Sequence, residues 1–521
     1  MGHRRALRTT AVGIVSATLI AGVGPVSSAS ASASTGGVRF VDITGDGGTT
    51  LKANVFTPAG ADDGRHYPLL VLPTAWATPQ VQYFAQAQRL ANAGYIVVSY
   101  NVRGFWQSDG EIEVAGPPDV ADASRVIDWA LAHTPADAER IGMGGMSYAA
   151  GISLLAAAQD KRIRAVAALS GWADLIDSIY SEHTQHTQAA ALLNATSSVT
   201  GRQSAEVREI FDAFRTGDLS REEEMVAWGK KRSVTTYLDR LNANSPAVFL
   251  ANGWGDSVFP PNQYADFYEK LTGPKRLQFR PGDHATPEVT GLLGLPNDVW
   301  NDAVRWFDFH LKGEANGVDR EQPVRLLSRS GGAYETYPDW KSVGATGRKI
   351  ALGGSPTIRA NVNSGADGGL VILSGLLDQF AKVPPLASIP LLPRRWAAVW
   401  QSEKYPSAQR VRGTARLHTT VTPTEESGTF IAYLYDVGPL GIGRLISNAP
   451  YTFHDRTPGR PFGVDLELFS TAYDVPAGHR LALVVDTVDP LYAEHNPTGA
   501  QLTFSSPATD PSFVSVPLRE Q

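Results

Sequence analysis

The chain has 521 residues, 43% of them hydrophobic and 19% charged, with 50 Gly, 34 Pro and no Cys; this is a globular balance with length for two or three domains, unlike that of a disordered or multi-span membrane protein. The missing Cys excludes a disulfide framework, thiolate metal sites and a Cys nucleophile. A net charge of −6 with no Lys/Arg cluster lacks the electrostatic footprint of a nucleic-acid binder, so no nucleic-acid partner is expected.

Arg4, Arg5 and Arg8 precede an uncharged apolar run over 11–23, and Ala29, Ala31 and Ala33 alternate with Ser. This pattern predicts a signal peptide over 1–33 and a secreted product. The run falls short of the roughly 20 residues that span a bilayer, so no stable membrane insertion is expected. Whether export is Sec or twin-arginine stays open at this level.

Short strands are predicted over 38–43 and 50–56, followed by an apolar strand at 67–72, a helix at 81–93 and a strand at 95–100. A helix at 121–132, a strand at 140–144, a small-residue helix at 148–158 and a strand at 164–170 continue the alternation. Strands alternating with helices predict a mainly parallel sheet covered on both faces. Residues 172–244 carry polar helices and no strand candidate, and read as a helical cap inserted into that sheet domain. Strands at 247–251 and 277–280 and an amphipathic helix at 298–311 resume it, giving a domain over 34–322. From 323 to 521 short alternating strands rich in Gly and Pro predict an all-β sandwich or jelly roll. The apolar, Pro-rich stretch 376–394 disfavours a regular element and reads as a loop packed across a domain interface.

The chemical signal is Gly144-Gly145-Met146-Ser147-Tyr148-Ala149, between a predicted strand and a predicted helix. Ser there sits on a sharp turn, with small neighbours letting strand and helix approach, so its hydroxyl stands clear of the sheet. A Ser hydroxyl needs a base, and in this sheet type the chain order is Ser, acid, His. His284, in Pro281-Gly282-Asp283-His284 after a strand, is the base candidate. Asp256, at the carboxyl end of the 247–251 strand, is the acid, favoured over Asp283 because a neighbour of His284 in an extended loop points elsewhere. The oxyanion hole is expected from the N–H of Tyr148 and a donor in Pro73-Thr74-Ala75-Trp76, with Thr74 offering hydroxyl or N–H. Arg103 reads as a loop organiser, and Glu222, Glu223 and Glu224 as a solvated helix face. His183 and His186, beside Glu182, have a spacing that metal ligands use, without a further ligand set in view.

These motifs, with Asn101-Val102-Arg103-Gly104, Ser108-Asp109-Gly110, Asn252-Gly253-Trp254-Gly255-Asp256 and Pro476-Ala477-Gly478-His479-Arg480-Leu481, resemble the X-Pro dipeptidyl-peptidase and cocaine-esterase type of serine hydrolase. The resemblance covers nearly the whole chain after the signal region. It implies an α/β-hydrolase domain, a helical cap and a C-terminal jelly roll, with Ser147, Asp256 and His284 as the triad. The chain departs from it at Thr74, where such esterases carry a Tyr whose hydroxyl completes the oxyanion hole, at Ala150 in place of a Gly, and in the residues before His284.

The expected function is a secreted serine hydrolase acting through an acyl-enzyme on a small peptide or ester substrate, with no cofactor implied and the oligomeric state open. An X-Pro exopeptidase needs an acid for the substrate ammonium, for which Glu182 and Asp177 in the cap are candidates that nothing in the sequence singles out. An esterase needs only an apolar pocket, which Trp76, Trp106, Trp172 and Phe259 are placed to line. The alternatives are a polymer-binding protein with little catalysis, and an acyltransferase on the same residues.

Overall fold

A computed structural model describes residues 37–61, 63–344 and 347–520; the expected signal peptide lies outside them. One ten-stranded sheet organises the first part of the chain. Its strands are β1 (Val38–Thr44), β2 (Thr50–Phe56), β3 (Tyr67–Pro73), β4 (Ile96–Tyr100), β5 (Ala136–Met146), β6 (Ile163–Leu169), β7 (Ala247–Gly253), β8 (Lys275–Arg280), β9 (Val324–Leu326) and β10 (Glu335–Tyr337). They lie in the order β1-β2-β4-β3-β5-β6-β7-β8-β9-β10, and every pair from β4 to β9 is parallel. Strands β3, β4 and β7 are buried along their whole length, which is why they read as unbroken apolar runs.

Helices α1 (Phe84–Asn92), α2 (Pro117–His133) and α3 (Tyr148–Gln159) make the crossovers between β3 and β6. The inserted cap holds α4 (Leu175–Ile179), α5 (Thr187–Thr200), α6 (Ala205–Thr216), α7 (Glu222–Lys230) and α8 (Leu238–Asn244), in the stretch read as helical from sequence. Helix α6 shows how the cap is specified: the Ser204 hydroxyl caps its first turn by accepting from Val207 N–H at 3.3 Å, and Gly217 ends it with φ 68°. Its buried Val207, Ile210 and Phe214 lie on one face. After β7 come α9 (Asn262–Lys270), α10 (Val289–Leu292) and the amphipathic α11 (Asp298–Lys312).

β9 pairs parallel with β8, and β10 turns back antiparallel on β9, so two short strands that follow residue 322 complete the hydrolase sheet.

The remaining chain is the expected all-β unit. Its main core lies between a six-stranded sheet built around Arg416–Pro423 and a five-stranded sheet centred on Gly428–Val437. The strand Gly428–Val437 is buried at all its positions, against the one-sided alternation expected of a sandwich. Its second face packs under the segment that includes Ala387, Ile389 and Leu392. Part of the stretch expected to be irregular is helical: α12 (Leu373–Ala381) forms ahead of Pro384 and Pro385. It crosses to the hydrolase domain, since Gln379 accepts from the Thr286 hydroxyl at 2.6 Å and Asp378 pairs with Arg329 at 2.7 Å. Its polar side therefore faces protein, while Leu373, Leu377 and Phe380 are exposed.

Candidate active site

Ser147 stands between β5 and α3 with φ 59° and ψ −120°, a conformation that L-residues rarely adopt. Its surroundings hold it there. Gly145 has φ 140°, and a Cβ at that position would lie 2.6 Å from the Tyr83 hydroxyl and 2.7 Å from the Ala149 methyl. The Gly therefore compensates for Ala at 149, where the G-x-S-x-G pattern has Gly. Ala150 is accommodated in the same way, because a Cβ on Gly171 would fall 2.4 Å from its methyl. Tyr83 secures the elbow by accepting from Met146 N–H at 3.1 Å.

The three residues singled out from sequence order come together. Ser147 Oγ lies 2.8 Å from His284 Nε2, and His284 Nδ1 lies 3.1 Å from Asp256 Oδ2 and 3.2 Å from Oδ1. Asp256 Oδ1 also accepts from the N–H groups of Val258, at 3.0 Å, and Phe259, at 2.7 Å, which keeps this buried carboxylate oriented. Asp283 is turned away, its Oδ1 accepting from Ser257 N–H and hydroxyl and from His284 N–H. Burial opposes the His284 imidazolium, but the Asp256 carboxylate outweighs it, with help from Asp283 and Glu288, so its pKa stands above the ordinary histidine value.

Glu288 was not legible in the sequence. It is fully buried, accepts from the Ser170 hydroxyl at 3.0 Å on both oxygens, and is pushed up to about 7 by burial, with the Asp256 charge adding. It carries no motif; only its position next to the His284 loop gives it a role in the site's field.

In the loop expected to give the second oxyanion donor, the Thr74 N–H is engaged elsewhere. Thr74 is fully buried, its N–H donates to Tyr100 C=O at 3.0 Å and its hydroxyl accepts from Val102 N–H at 3.4 Å. Ala75 N–H donates to Gln82 at 2.8 Å. Trp76 is the next donor, and its backbone N–H has no hydrogen-bond partner among the described residues, whereas its indole N–H donates to Leu193 C=O at 3.0 Å; its ring lies against Tyr148 with centroids 5.1 Å apart. Arg103 is the structural organiser expected, making a two-pronged pair with Asp122 at 2.7 and 2.8 Å.

A pocket of about 600 Å³, including its open mouth, begins at Ser147. Trp76, Trp172 and Phe259 line its base as anticipated, while Trp106 does not reach it. The cap closes it with Leu193, Ile210, Phe211, Phe214 and Trp228, among others, and no charged side chain lies on its wall. Asp177 and Glu182, the candidates for holding an ammonium, are exposed and do not line it. A second cleft of about 750 Å³ lies behind Asp256, between the hydrolase sheet and the β domain, and neither Ser147 nor His284 lines it.

Fold and site together define a serine hydrolase of the α/β-hydrolase type with an all-β domain behind it. Residues 46–286 match the model of the X-Pro dipeptidyl-peptidase (S15) family, and residues 316–516 match that of the X-Pro dipeptidyl-peptidase C-terminal non-catalytic domain. The chain belongs to this family. A Streptomyces avermitilis protein named for a proposed Xaa-Pro dipeptidyl-peptidase activity is 23% identical over 491 residues, 76% of this chain and 68% of its own. Among solved structures, an α-amino acid ester hydrolase superposes with a TM-score of 0.75 at 17% identity, covering 95% of this chain and 98% of its own. A CocE/NonD family hydrolase from Staphylococcus aureus gives 0.69 at 12% identity, covering 92% and 93%. Peptidase and esterase names thus share one fold, and the choice between them rests on the pocket. Among the described residues no helix is long and apolar enough to cross a membrane.

Proposed function

We propose that the protein hydrolyses carboxylic esters of apolar acids, with Ser147 as nucleophile, His284 as general base and acid, and Asp256 as the carboxylate that orients it. The uncharged wall of the pocket at Ser147 carries this reading. A substrate with a free N-terminal ammonium would lose its hydration there without an acid to replace it, at a cost of several kcal/mol. An apolar acyl chain gains from the same wall.

Ser147 Oγ attacks the ester carbonyl as its proton passes to His284 Nε2, giving a tetrahedral oxyanion. The N–H of Tyr148, at the positive end of α3, and that of Trp76 are the donors assigned to that oxygen. His284 then protonates the leaving alcohol, and the acyl group stays on Ser147 Oγ. Water, deprotonated by His284, attacks this acyl-enzyme and releases the acid. Asp256 holds the imidazole in the tautomer whose Nε2 faces Ser147 and stabilises the cation.

We also assign residues 1–33 as an export signal on their Arg-rich start, apolar run and A-x-A sites; amino-terminal sequencing of the secreted protein tests that. The function is tested with an aryl ester of a medium-chain acid and an X-Pro anilide bearing a free amine. Rapid ester cleavage with a silent anilide is expected. Fast anilide cleavage that stops when the amine is blocked would overturn the ester reading in favour of a dipeptidyl-peptidase.

A further inference from the structure

Away from the nucleophile, His183, Glu222 and His454 converge from three separate places: the turn Ser181–His183 in the cap, the first residue of α7, and the position after the β-domain strand Ile442–Phe453. Glu222 divides its two oxygens between the rings. Oε1 lies 2.6 Å from His183 Nδ1 and Oε2 lies 3.1 Å from His454 Nε2, and all the potential ligand atoms lie within 4.8 Å of one another. Glu222 is thus not part of a solvated face with Glu223 and Glu224. Nor does His186 join His183 as their spacing suggested: His186 is buried, 2.8 Å from the Ser181 hydroxyl and edge-on to Tyr492.

A proton count makes the trio informative. His454 has a carboxylate at both ring nitrogens, Asp455 Oδ2 at 2.8 Å from Nδ1 and Glu222 at Nε2. A neutral imidazole carries one N–H, so if Nδ1 donates to Asp455, Nε2 turns a lone pair on an anionic oxygen. That contact is repulsive unless a second proton on the ring or another cation lies at it. A carboxylate on the outer nitrogen of a ring whose inner nitrogen faces other ligands is the arrangement that orients metal-bound histidines. The Tyr180 hydroxyl, 2.9 Å from Glu222 Oε1, restrains the carboxylate in turn. The backbone is bent to the purpose as well, since Glu182, His183 and Asp455 all have positive φ, at 48°, 60° and 55°.

We propose that His183, Glu222 and His454 bind a divalent cation of the zinc class, pinning the cap to the β domain. Two imidazoles and one carboxylate are a three-ligand zinc set with a fourth position for water, and nitrogen donors disfavour magnesium and calcium. Zinc bonds of about 2.0–2.1 Å in tetrahedral geometry place ligand atoms roughly 3.3 Å apart, so the trio, whose atoms lie within 4.8 Å of one another, draws together around the ion. The His183 and His454 side chains are 57% and 36% exposed, which leaves an entry path from solution.

The test is a zinc titration by calorimetry on the full protein after dialysis against a chelator. Saturable binding of one zinc per chain is expected, lost in His183→Ala and in His454→Ala, with a melting temperature that zinc raises in the wild type alone. Ester hydrolysis by these variants, none of which touches Ser147, reports that they are folded. Should either variant fold poorly, Asp455→Asn at the rim serves in its place and is expected to weaken zinc binding about 10- to 100-fold. A wild-type protein that takes up no stoichiometric zinc, or variants that bind it unchanged, would overturn the proposal and leave the trio as a protonated ion-pair tether.

Discussion

The two cavities that flank Asp256 and His284 are similar in size and opposite in chemistry. The one that opens on Ser147 is walled by aromatic and aliphatic side chains, most of them lent by the cap. The one behind Asp256 is lined by Asp283, Arg329, Asp378, Asn448 and His186 among apolar groups, and Ser147 does not line it. The polar groups near the site are thus spent on joining the hydrolase and β domains, through pairs such as Arg329–Asp378. The lesson is that counting carboxylates near a triad does not reveal a charged substrate; which side of the imidazole they occupy does. Asp283 and Glu288 lie close to His284 and act on its proton affinity.

The strongest way to break this contrast is to remove the hydroxyl at the mouth of the apolar pocket. Ser147→Ala is expected to lower ester turnover by about 10⁶, the scale on which nucleophile removal is felt in a Ser-His-Asp enzyme, and stopped assays with purified variant decide it. Next in size, kcat/KM measured over a series of straight-chain esters should rise about fourfold per methylene until the pocket fills, from roughly 0.8 kcal/mol for each CH₂ buried. A flat or falling series would mean that the acyl chain does not enter it.

The pH profile sharpens the same contrast. Because Asp256, Asp283 and Glu288 raise the His284 pKa, the neutral base is lost on acidification from a higher pH than for a free imidazole. The acid limb of kcat/KM is therefore expected to have its midpoint above the ordinary value of about 6.5. A midpoint below it would mean that burial prevails over the carboxylates. Smallest in effect on turnover, Asp378→Asn in the second cleft should leave acyl preference unchanged while lowering stability by about 1.5–3 kcal/mol through loss of the charged contact with Arg329, measured by denaturant unfolding. A shifted acyl preference would show that the two cavities communicate.

The parts of the fold legible in sequence are those whose signal is local. β3 reads directly from its apolar run, and α3 from small residues after Ser147. The chain order of Ser147, Asp256 and His284 is legible because β-strand ends place such residues at one edge of a parallel sheet. The second oxyanion donor proposed above is not, since a backbone N–H has no residue signature: what separates Trp76 from Thr74 is that Tyr100 and Gln82 engage the N–H groups before it. The membership of β9 has a similar cause, because it is three residues long and only its pairing with β8 assigns it to the first sheet. Two-sided burial of Gly428–Val437 depends on a segment some 40 residues upstream in the chain folding over it. Glu222 looked like its neighbours because its partners, His183 and His454, lie 39 and 232 positions away.

The elbow at Ser147 also sets a limit on how stable this protein can be. A residue with a Cβ held at φ 59° and ψ −120° costs on the order of 1–3 kcal/mol. Substitution by Gly, ordinarily the less stabilising choice beside Ala, should here reverse the order, with Ser147→Gly melting above Ser147→Ala although both lack the hydroxyl. The hydrolase keeps its reactive group cocked at the expense of its own durability, and an inactive form can be made the sturdier molecule.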